Sequence, residues 1–386
     1  MRIGIDGIPL ASLRTGVGHY TFELAHALSL LSPSNQFELV SPLPLLESVT
    51  GEIKQPNLRA VRLRLNKVLR PWWAVRLPLY ISTSRMDVFH GTNFDVPLWN
   101  RCASVLTIHD LSLFLYQETH ERRLVRRARR RMPLMVRSAT MIITPSESVR
   151  REVCDLFGVS RERVVAIPEA ARSCFKPVPA EDAALTKKRL GIEDEFILFV
   201  GTIEPRKNLI TLVRAFAELL RTTPLRPQLV IAGRKGWLTD EFFAYVRGMD
   251  GGERVRFTGY AGDEDLAALY SSCSVCVYPS LYEGFGLPTL EAMACGAPVI
   301  SSRTPAIMET VGEAARLVPP QDVQALSQAI AELMLDDGAR QRLSYEGLSR
   351  AAQFSWEKTA MLTLEVYSEA RKMRAAGNRQ LIKGPG

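Results

Sequence analysis

The chain has 386 residues, 46% of them apolar and 23% charged, with a formal net charge of +8. That length exceeds what one hydrophobic core usually supports, and the composition is that of a globular protein, so two domains are expected, with disorder only at the Lys383–Gly386 tail. No run of about 18 apolar residues free of charge occurs, and Met1-Arg2-Ile3-Gly4-Ile5-Asp6 reads as a buried strand, so neither a membrane span nor secretion is expected.

In chain order, short apolar runs alternate with segments of helical period. The first half offers Ile3-Gly4-Ile5, Phe37–Val40, Val88-Phe89-His90, Ser104–Ile108, Met141–Thr144 and Val164–Ile167. Such alternation predicts a parallel sheet covered by helices. The loop Arg14–Tyr20, with Gly16 and Gly18, precedes a helix and can bring backbone amides close to a phosphate or sugar, although it is neither a dinucleotide fingerprint nor a P-loop. His109 lies directly beyond the predicted strand that ends at Ile108, and His90 sits at a comparable strand end. A lone histidine in such a place is more often structural than functional.

The first half is also basic. Residues 1–176 carry 25 basic against 15 acidic side chains, the remainder 24 against 26. The excess lies between Lys54 and Arg137 and points to an anionic partner for this half alone. Within it, Arg122–Met132 predicts a helix with Leu124, Ala128, Met132 and Met135 on one face and arginines on the other, and Lys67–Trp73 adds aromatic groups suited to a lipid interface. A core helix with a solvated face accounts for the same pattern. Pro168, Pro177 and Pro179 mark the domain boundary.

The second half repeats the pattern at Phe196–Val200, Leu229–Ala232, Val255–Phe257, Val275–Tyr278 and Pro298–Ser301. In such sheets ligands bind beyond the carboxyl ends of the strands, which directs attention to the residues just after each run. After the first comes Gly201-Thr202-Ile203-Glu204-Pro205-Arg206-Lys207-Asn208, leading into a helix from about Leu209 to Leu220. Two cations at a helix mouth are disfavoured unless an anion is supplied, so Arg206 and Lys207 are suited to a leaving diphosphate. Gly233-Arg234 and Gly259-Tyr260 close the next two strands and can enclose a base.

After Tyr278, Glu283-Gly284-Phe285-Gly286-Leu287-Pro288-Thr289-Leu290-Glu291 predicts a glycine-rich anion site, and a short helix follows that ends near Gly296. Phosphate would repel a carboxylate held against it, so Glu283 in the loop and Glu291 in the first turn are better suited to accept hydrogen bonds from hydroxyls on either side of a diphosphate. The six cysteines lie scattered in apolar segments, as reduced thiols do, and Cys273-x-x-Cys276 lacks a second pair for zinc. No metal-binding motif and no nucleic-acid motif is present.

This set of motifs resembles the retaining glycosyltransferases of family 4, over nearly the whole chain. Glu283-Gly-Phe-Gly-Leu-Pro-x-x-Glu291 matches the family's paired-glutamate signature, with Gly201-Thr202 to Arg206-Lys207-Asn208 as its companion. The resemblance implies an α/β chain of the GT-B fold, two doubly wound Rossmann-like domains facing each other across a cleft. Residues 1–172 would then bind the acceptor and 173–355 the donor, with a helix over about 356–376 packing back on the first.

It further implies that Arg206 and Lys207 hold the donor diphosphate, Glu291 the ribose and Glu283 the transferred sugar, aided by the amides of Gly284, Phe285, Gly286 and Leu287. His109 would lie beside the donor sugar and Gly16 and Gly18 near the phosphates. The expected reaction is a metal-independent, retaining hexosyl transfer without a cofactor. The co-substrate would be a nucleotide diphosphate sugar, GDP-mannose the first choice, and the acceptor a glycan or a lipid-linked glycan. Its setting would be bacterial surface polysaccharide or lipopolysaccharide assembly, in the cytoplasm at the inner, anionic face of the plasma membrane, with no nucleic-acid partner. A sugar-nucleotide epimerase or phosphorylase on the same fold, a non-catalytic nucleotide-sugar sensor and a basic nucleic-acid binder stay open as alternatives.

Overall fold

The computed structural model describes residues 1–63, 72–99 and 102–383. The chain divides into two compact units, the first formed by Met1–Leu111, Arg126–Glu169 and the chain from Ser355 on, the second by Ser112–Val125 and Ala170–Phe354.

The first unit is built on a seven-stranded sheet of β1 (Arg2–Asp6), β2 (Gln36–Ser41), β3 (Leu58–Arg62), β4 (Val88–Gly91), β5 (Ala103–Thr107), β6 (Met141–Thr144) and β7 (Val164–Ala166). Every pairing is parallel and the order is β3-β2-β1-β4-β5-β6-β7. The strand order reverses between β1 and β4. The second unit holds six parallel strands, β8 (Phe196–Val200), β9 (Gln228–Ala232), β10 (Val255–Gly259), β11 (Val275–Tyr278), β12 (Val299–Ser302) and β13 (Arg316–Val318), ordered β10-β9-β8-β11-β12-β13. Its reversal lies between β8 and β11. Both units are therefore doubly wound α/β folds, and each has one point where neighbouring strands send their following loops in opposite directions.

The central strands are buried on both faces, which is why they read as unbroken apolar runs. Two edge strands escaped the sequence reading. In β3, Leu58 is buried while Arg59, Ala60 and Arg62 are exposed, so the strand offers no apolar run. The other, β13, is only three residues long and opens on exposed Arg316.

The C-terminal helix runs over Trp356–Lys383, further than expected, and belongs to the first unit. Tyr367 and Ala370 on it are fully buried. The Tyr367 hydroxyl hydrogen-bonds His90 Nδ1 at 2.7 Å, and His90 Nε2 meets Thr107 Oγ1 at 2.7 Å. Burial, reinforced by the nearby charge of His109, pushes the His90 pKa down to about 3, so this ring is a neutral core group.

The arginine-rich helix spans Arg122–Ser138 with Pro133 inside it. Its buried face is Val125, Met132, Met135 and Val136, whereas Leu124, assigned inward by the sequence, is exposed. Met132 and Met135 thus face inward as predicted, Ala128 is half-buried, and at the start of the helix Val125 takes the place of Leu124. Arg131 does not lie on a free basic face either, since it pairs with Asp95 at 2.5 Å and stacks over the Trp73 ring at 4.9 Å. Lys67 to Pro71 of the proposed lipid-facing stretch lie outside the described residues. Of its aromatic groups, Trp72 packs on the core and Trp73 sits under Arg131, so neither is presented openly.

Ser112–Val125 groups with the second unit, although it lies in sequence within the first. Trp237 Nε1 donates to the Thr119 carbonyl at 2.8 Å, and the Tyr116 ring packs on Tyr282. Cys273 and Cys276 are free and buried, and burial holds both thiols well above the usual range. Among the described residues no helix is long and apolar enough to cross a membrane.

Replacing Tyr367 by Phe should strand the His90 ring nitrogen. The expected loss is about 1–3 kcal/mol, read as a lower thermal unfolding midpoint, and an unchanged midpoint would contradict this assignment.

Candidate active site

The chemistry predicted for the second unit gathers where its strand order reverses. From β8 the chain leaves as Gly201–Glu204 and then forms a single 3-10 turn, Pro205–Lys207. Asn208 follows in the left-handed region at φ 56°, a conformation asparagine tolerates better than most residues, and caps the helix Leu209–Thr222. Its amide donates to the carbonyls of Pro279 (3.0 Å), just after β11, and Pro320 (2.5 Å), just after β13, which ties the β8 loop to both. Leu281 N donates to the Arg206 carbonyl at 2.9 Å, adding a second tie.

This places both cations against Glu283. Lys207 Nζ lies 2.7 Å from Glu283 Oε1 and 2.6 Å from the Tyr278 hydroxyl. Arg206 donates to Glu283 Oε2 at 3.0 Å, to the Tyr282 carbonyl at 2.9 Å and to Glu204 at 2.6 Å. Lys207, Glu283 and Glu204 are all buried. Burial alone would raise the Glu283 pKa, but Lys207 and Arg206 outweigh it and pull the carboxyl down to about 2. For Lys207, burial and the charge of Arg206 together win over Glu283 and lower its pKa.

Arg206 and Lys207 were expected to require an anion from a ligand. In the structure Glu283 and Glu204 provide it. Glu204, part of the quoted loop, had been given no role.

Gly201 and Gly233 meet where β8 and β9 end. A Cβ on Gly233 would overlap the Gly201 carbonyl oxygen, so only glycine lets these loops close together. Gly233 N donates to the Gly259 carbonyl, and Thr202 lies half-buried alongside. Arg234 is exposed and stands 5.4 Å over the exposed ring of Tyr260.

The loop Glu283–Gly286 enters the helix Leu287–Ala294 through Gly286 at φ 91°, where a side chain would also collide with Ile307. Gly284 is buried, and the Phe285 ring is buried against Phe354, so Phe285 can offer a ligand only its backbone. Glu291 is the fifth residue of this helix and so stands in its second turn, not the first. Its carboxylate receives Arg172 Nε at 3.3 Å, while Arg172 also donates to Asp263 at 2.6 Å. Neither Arg172 nor Asp263 was singled out from sequence, since a pairing across 119 positions leaves no local pattern.

In the first unit, Gly16 and Gly18 open the helix Gly16–Leu31. Gly16 faces open space, and Gly18 lies close against the Pro9 carbonyl. His109 follows β5, and its ring lies edge-on to Tyr20 at 4.6 Å. Nε2 lies 2.9 Å from the Thr92 carbonyl and Nδ1 3.1 Å from Glu169 Oε1. A carbonyl and a carboxylate only accept hydrogen bonds, so each of these contacts requires a ring N–H and the cation satisfies both. Burial opposes the charge, but Glu169 and the Thr92 carbonyl prevail and raise the His109 pKa. Glu169 was missed because it sits in the Pro168 boundary segment, 60 residues from its partner.

Two doubly wound units, with a cation-carboxylate network at the switch point of the second, define the GT-B class of glycosyltransferase. Comparison with known proteins agrees. Residues 14–171 match the model of Glycosyltransferase Family 4 and residues 182–350 that of Glycosyl transferases group 1. The chain is 34% identical over 385 residues to the O-antigen chain mannosyltransferase B of Escherichia coli, covering 95% of this chain and 99% of that protein. It is 34% identical over 234 residues to the serotype-specific mannosyltransferase WbdA of Escherichia coli, or 60% of this chain and 29% of that one. Among solved structures, sucrose-phosphate synthase from Thermosynechococcus elongatus superposes with a TM-score of 0.74 at 26% identity, over 96% of this chain and 98% of that one. The chain belongs to the family 4 glycosyltransferases.

Two predictions test the site. Because the folded pKa of Glu283 lies below its usual value of 4.5, its ion pairs stabilise the fold fully above that pH and are lost as pH falls towards 2. Glu283→Gln should flatten the acid limb of the melting curve between those values and cost roughly 3–5 kcal/mol at neutral pH by stranding a buried cation. An acid limb as steep as the wild type's counts against the pairing. For His109, Glu169→Gln should lower the ring's titration midpoint in a proton NMR titration; a midpoint that does not move would show that Glu169 does not hold the charge.

Proposed function

We propose that this glycosyltransferase moves a mannosyl group from a nucleotide diphosphate donor, GDP-mannose first, to a glycan or lipid-linked acceptor of a bacterial surface polysaccharide. The transfer retains the anomeric configuration and needs no metal. The observation that carries the donor reading is the pair Arg206 and Lys207 at the carboxyl end of β8, held at the switch point by Glu283. An ammonium has three N–H bonds. Tyr278 and Glu283 take two of those on Lys207 among the described residues, leaving one for a phosphate oxygen. The mannosyl reading rests on the identity to a mannosyltransferase along almost the whole chain.

In this reading the acceptor oxygen bonds to the anomeric carbon on the face from which the diphosphate departs. The bond from that carbon to the phosphate oxygen breaks, and the acceptor proton passes to the leaving phosphate. The negative charge that develops on the leaving group is met by Arg206, Lys207 and the backbone amides of Gly284 to Leu287. Gly201, Thr202 and Gly233 line the same strand ends, and Arg234 with Tyr260 offers a stacking surface for the base. Glu283 and Glu291 accept from sugar and ribose hydroxyls. His109, held as a cation, serves as a donor or fixed charge in the transfer, and Gly16 and Gly18 present amides to the phosphates.

A panel of nucleotide sugars read by thermal shift, followed by product analysis with a mannose-terminated acceptor, tests the proposal. GDP-mannose should raise the melting temperature, and proton NMR of the product should show the donor's anomeric configuration, with the same rate in excess chelator. Stabilisation by UDP-glucose alone, an inverted product or loss of rate with chelator would each overturn the corresponding part. Donor conversion without acceptor would favour an epimerase instead.

A further inference from the structure

Arg172 lies in the segment that opens the second unit, and among the described residues it is the one fully buried arginine. Its guanidinium stands 4.6 Å over the Phe175 ring, which fixes the plane of the fork. One side of the fork, NH1, donates to Asp263 Oδ2 at 2.6 Å, at the start of the helix Asp263–Ser272. Nε reaches Glu291 Oε1 at 3.3 Å. Asp263 is partly exposed while Arg172 and Glu291 are not, so the chain of charges runs from the surface to the buried carboxylate.

Glu291 sits on a helix of eight residues and is itself a long side chain with three rotatable bonds. To accept from two vicinal hydroxyls, its carboxylate must be held in one plane. The helix fixes only its Cα. A cation whose own plane is set by an aromatic ring and whose far side is anchored by a second carboxylate can fix the rest.

We propose that Arg172, anchored by Asp263 and Phe175, is a positioning residue that holds the Glu291 carboxylate for the ribose hydroxyls of the nucleotide. This rests on the reading that Glu291 binds the ribose. Arg172 does not touch the nucleotide. It sets how strongly Glu291 does.

The test compares GDP with 2′,3′-dideoxy-GDP by calorimetry on the full chain. Both ligands are measured on the same sample, so their affinity ratio does not depend on how much of a variant is folded. Wild type should prefer GDP by roughly ten- to hundredfold, the value of hydrogen bonds to a charged group. Arg172→Met should cut that ratio by about tenfold or more and leave dideoxy binding close to wild type, Arg172→Lys should restore part of it, and Asp263→Asn should act in the same direction more weakly. In a Glu291→Gln background, Arg172→Met should change the ratio no further. A wild-type ratio in Arg172→Met, or a further fall in the Glu291→Gln background, would overturn the positioning role. No preference in the wild type would instead overturn the ribose reading, and the proposal with it.

Discussion

The second unit depends on one constraint, that two cations and a carboxylate be buried together where its strand order reverses. Loops leaving β8 and β11 diverge by topology, and something must bring Lys207 and Glu283 to 2.7 Å. Asn208 does this by donating its side-chain amide to the Pro279 carbonyl after β11, and an asparagine also tolerates the left-handed region in which it stands. Removing two charges from water costs several kcal/mol for each ion. That cost is offset only because Glu283, Glu204, the Tyr278 hydroxyl and the Tyr282 carbonyl surround the cations on several sides. A network of this kind is held rigid, and it keeps positive charge where a departing diphosphate would need it.

Much of this was legible in the sequence, for identifiable reasons. Central parallel strands announce themselves because both faces are buried, and the glycine-rich loops after them because close approach at Gly233 and the turn at Gly286 exclude side chains. The paired glutamates and the Arg206-Lys207 dipeptide were visible as local motifs. What stayed hidden was pairing at long range. That Lys207 would face Glu283 instead of open solvent follows from the neighbouring positions of β8 and β11, which no local pattern records. The basic helix misled for a related reason, because its many arginines leave too few apolar positions to fix the buried stripe to within one residue, and Val125 rather than Leu124 turned inward.

The first unit shows how geometry limits chemistry. A histidine after a strand invites assignment as a base. With Thr92 accepting from one nitrogen and Glu169 from the other, His109 has no lone pair for a proton to enter. Its charge, not its basicity, is what this arrangement maintains. His90, one strand away, is kept neutral by burial and the nearby charge of His109, and the hydroxyls on its two nitrogens can donate as well as accept. Two buried histidines one strand apart thus have pKa values shifted in opposite directions, His90 down by burial and His109 up because Glu169 outweighs burial.

Glu169 and Arg172 are three residues apart, and the first serves a residue of the first unit, the second a residue of the second. In the sequence, Pro168, Pro177 and Pro179 mark this stretch only as a boundary that breaks helix and strand. Yet a boundary segment is anchored at both ends, and side chains near an anchor point are held more firmly than those on a free loop. That makes it a suitable place from which to orient a functional group. The same reasoning explains why the segment carries buried charge at all: Glu169 and Arg172 are each buried beside an oppositely charged partner, and a linker with no such partners would have kept its charges in water. The carboxylate and the guanidinium of this irregular stretch therefore each trace to a partner in their own unit, His109 for Glu169 and Glu291 with Asp263 for Arg172.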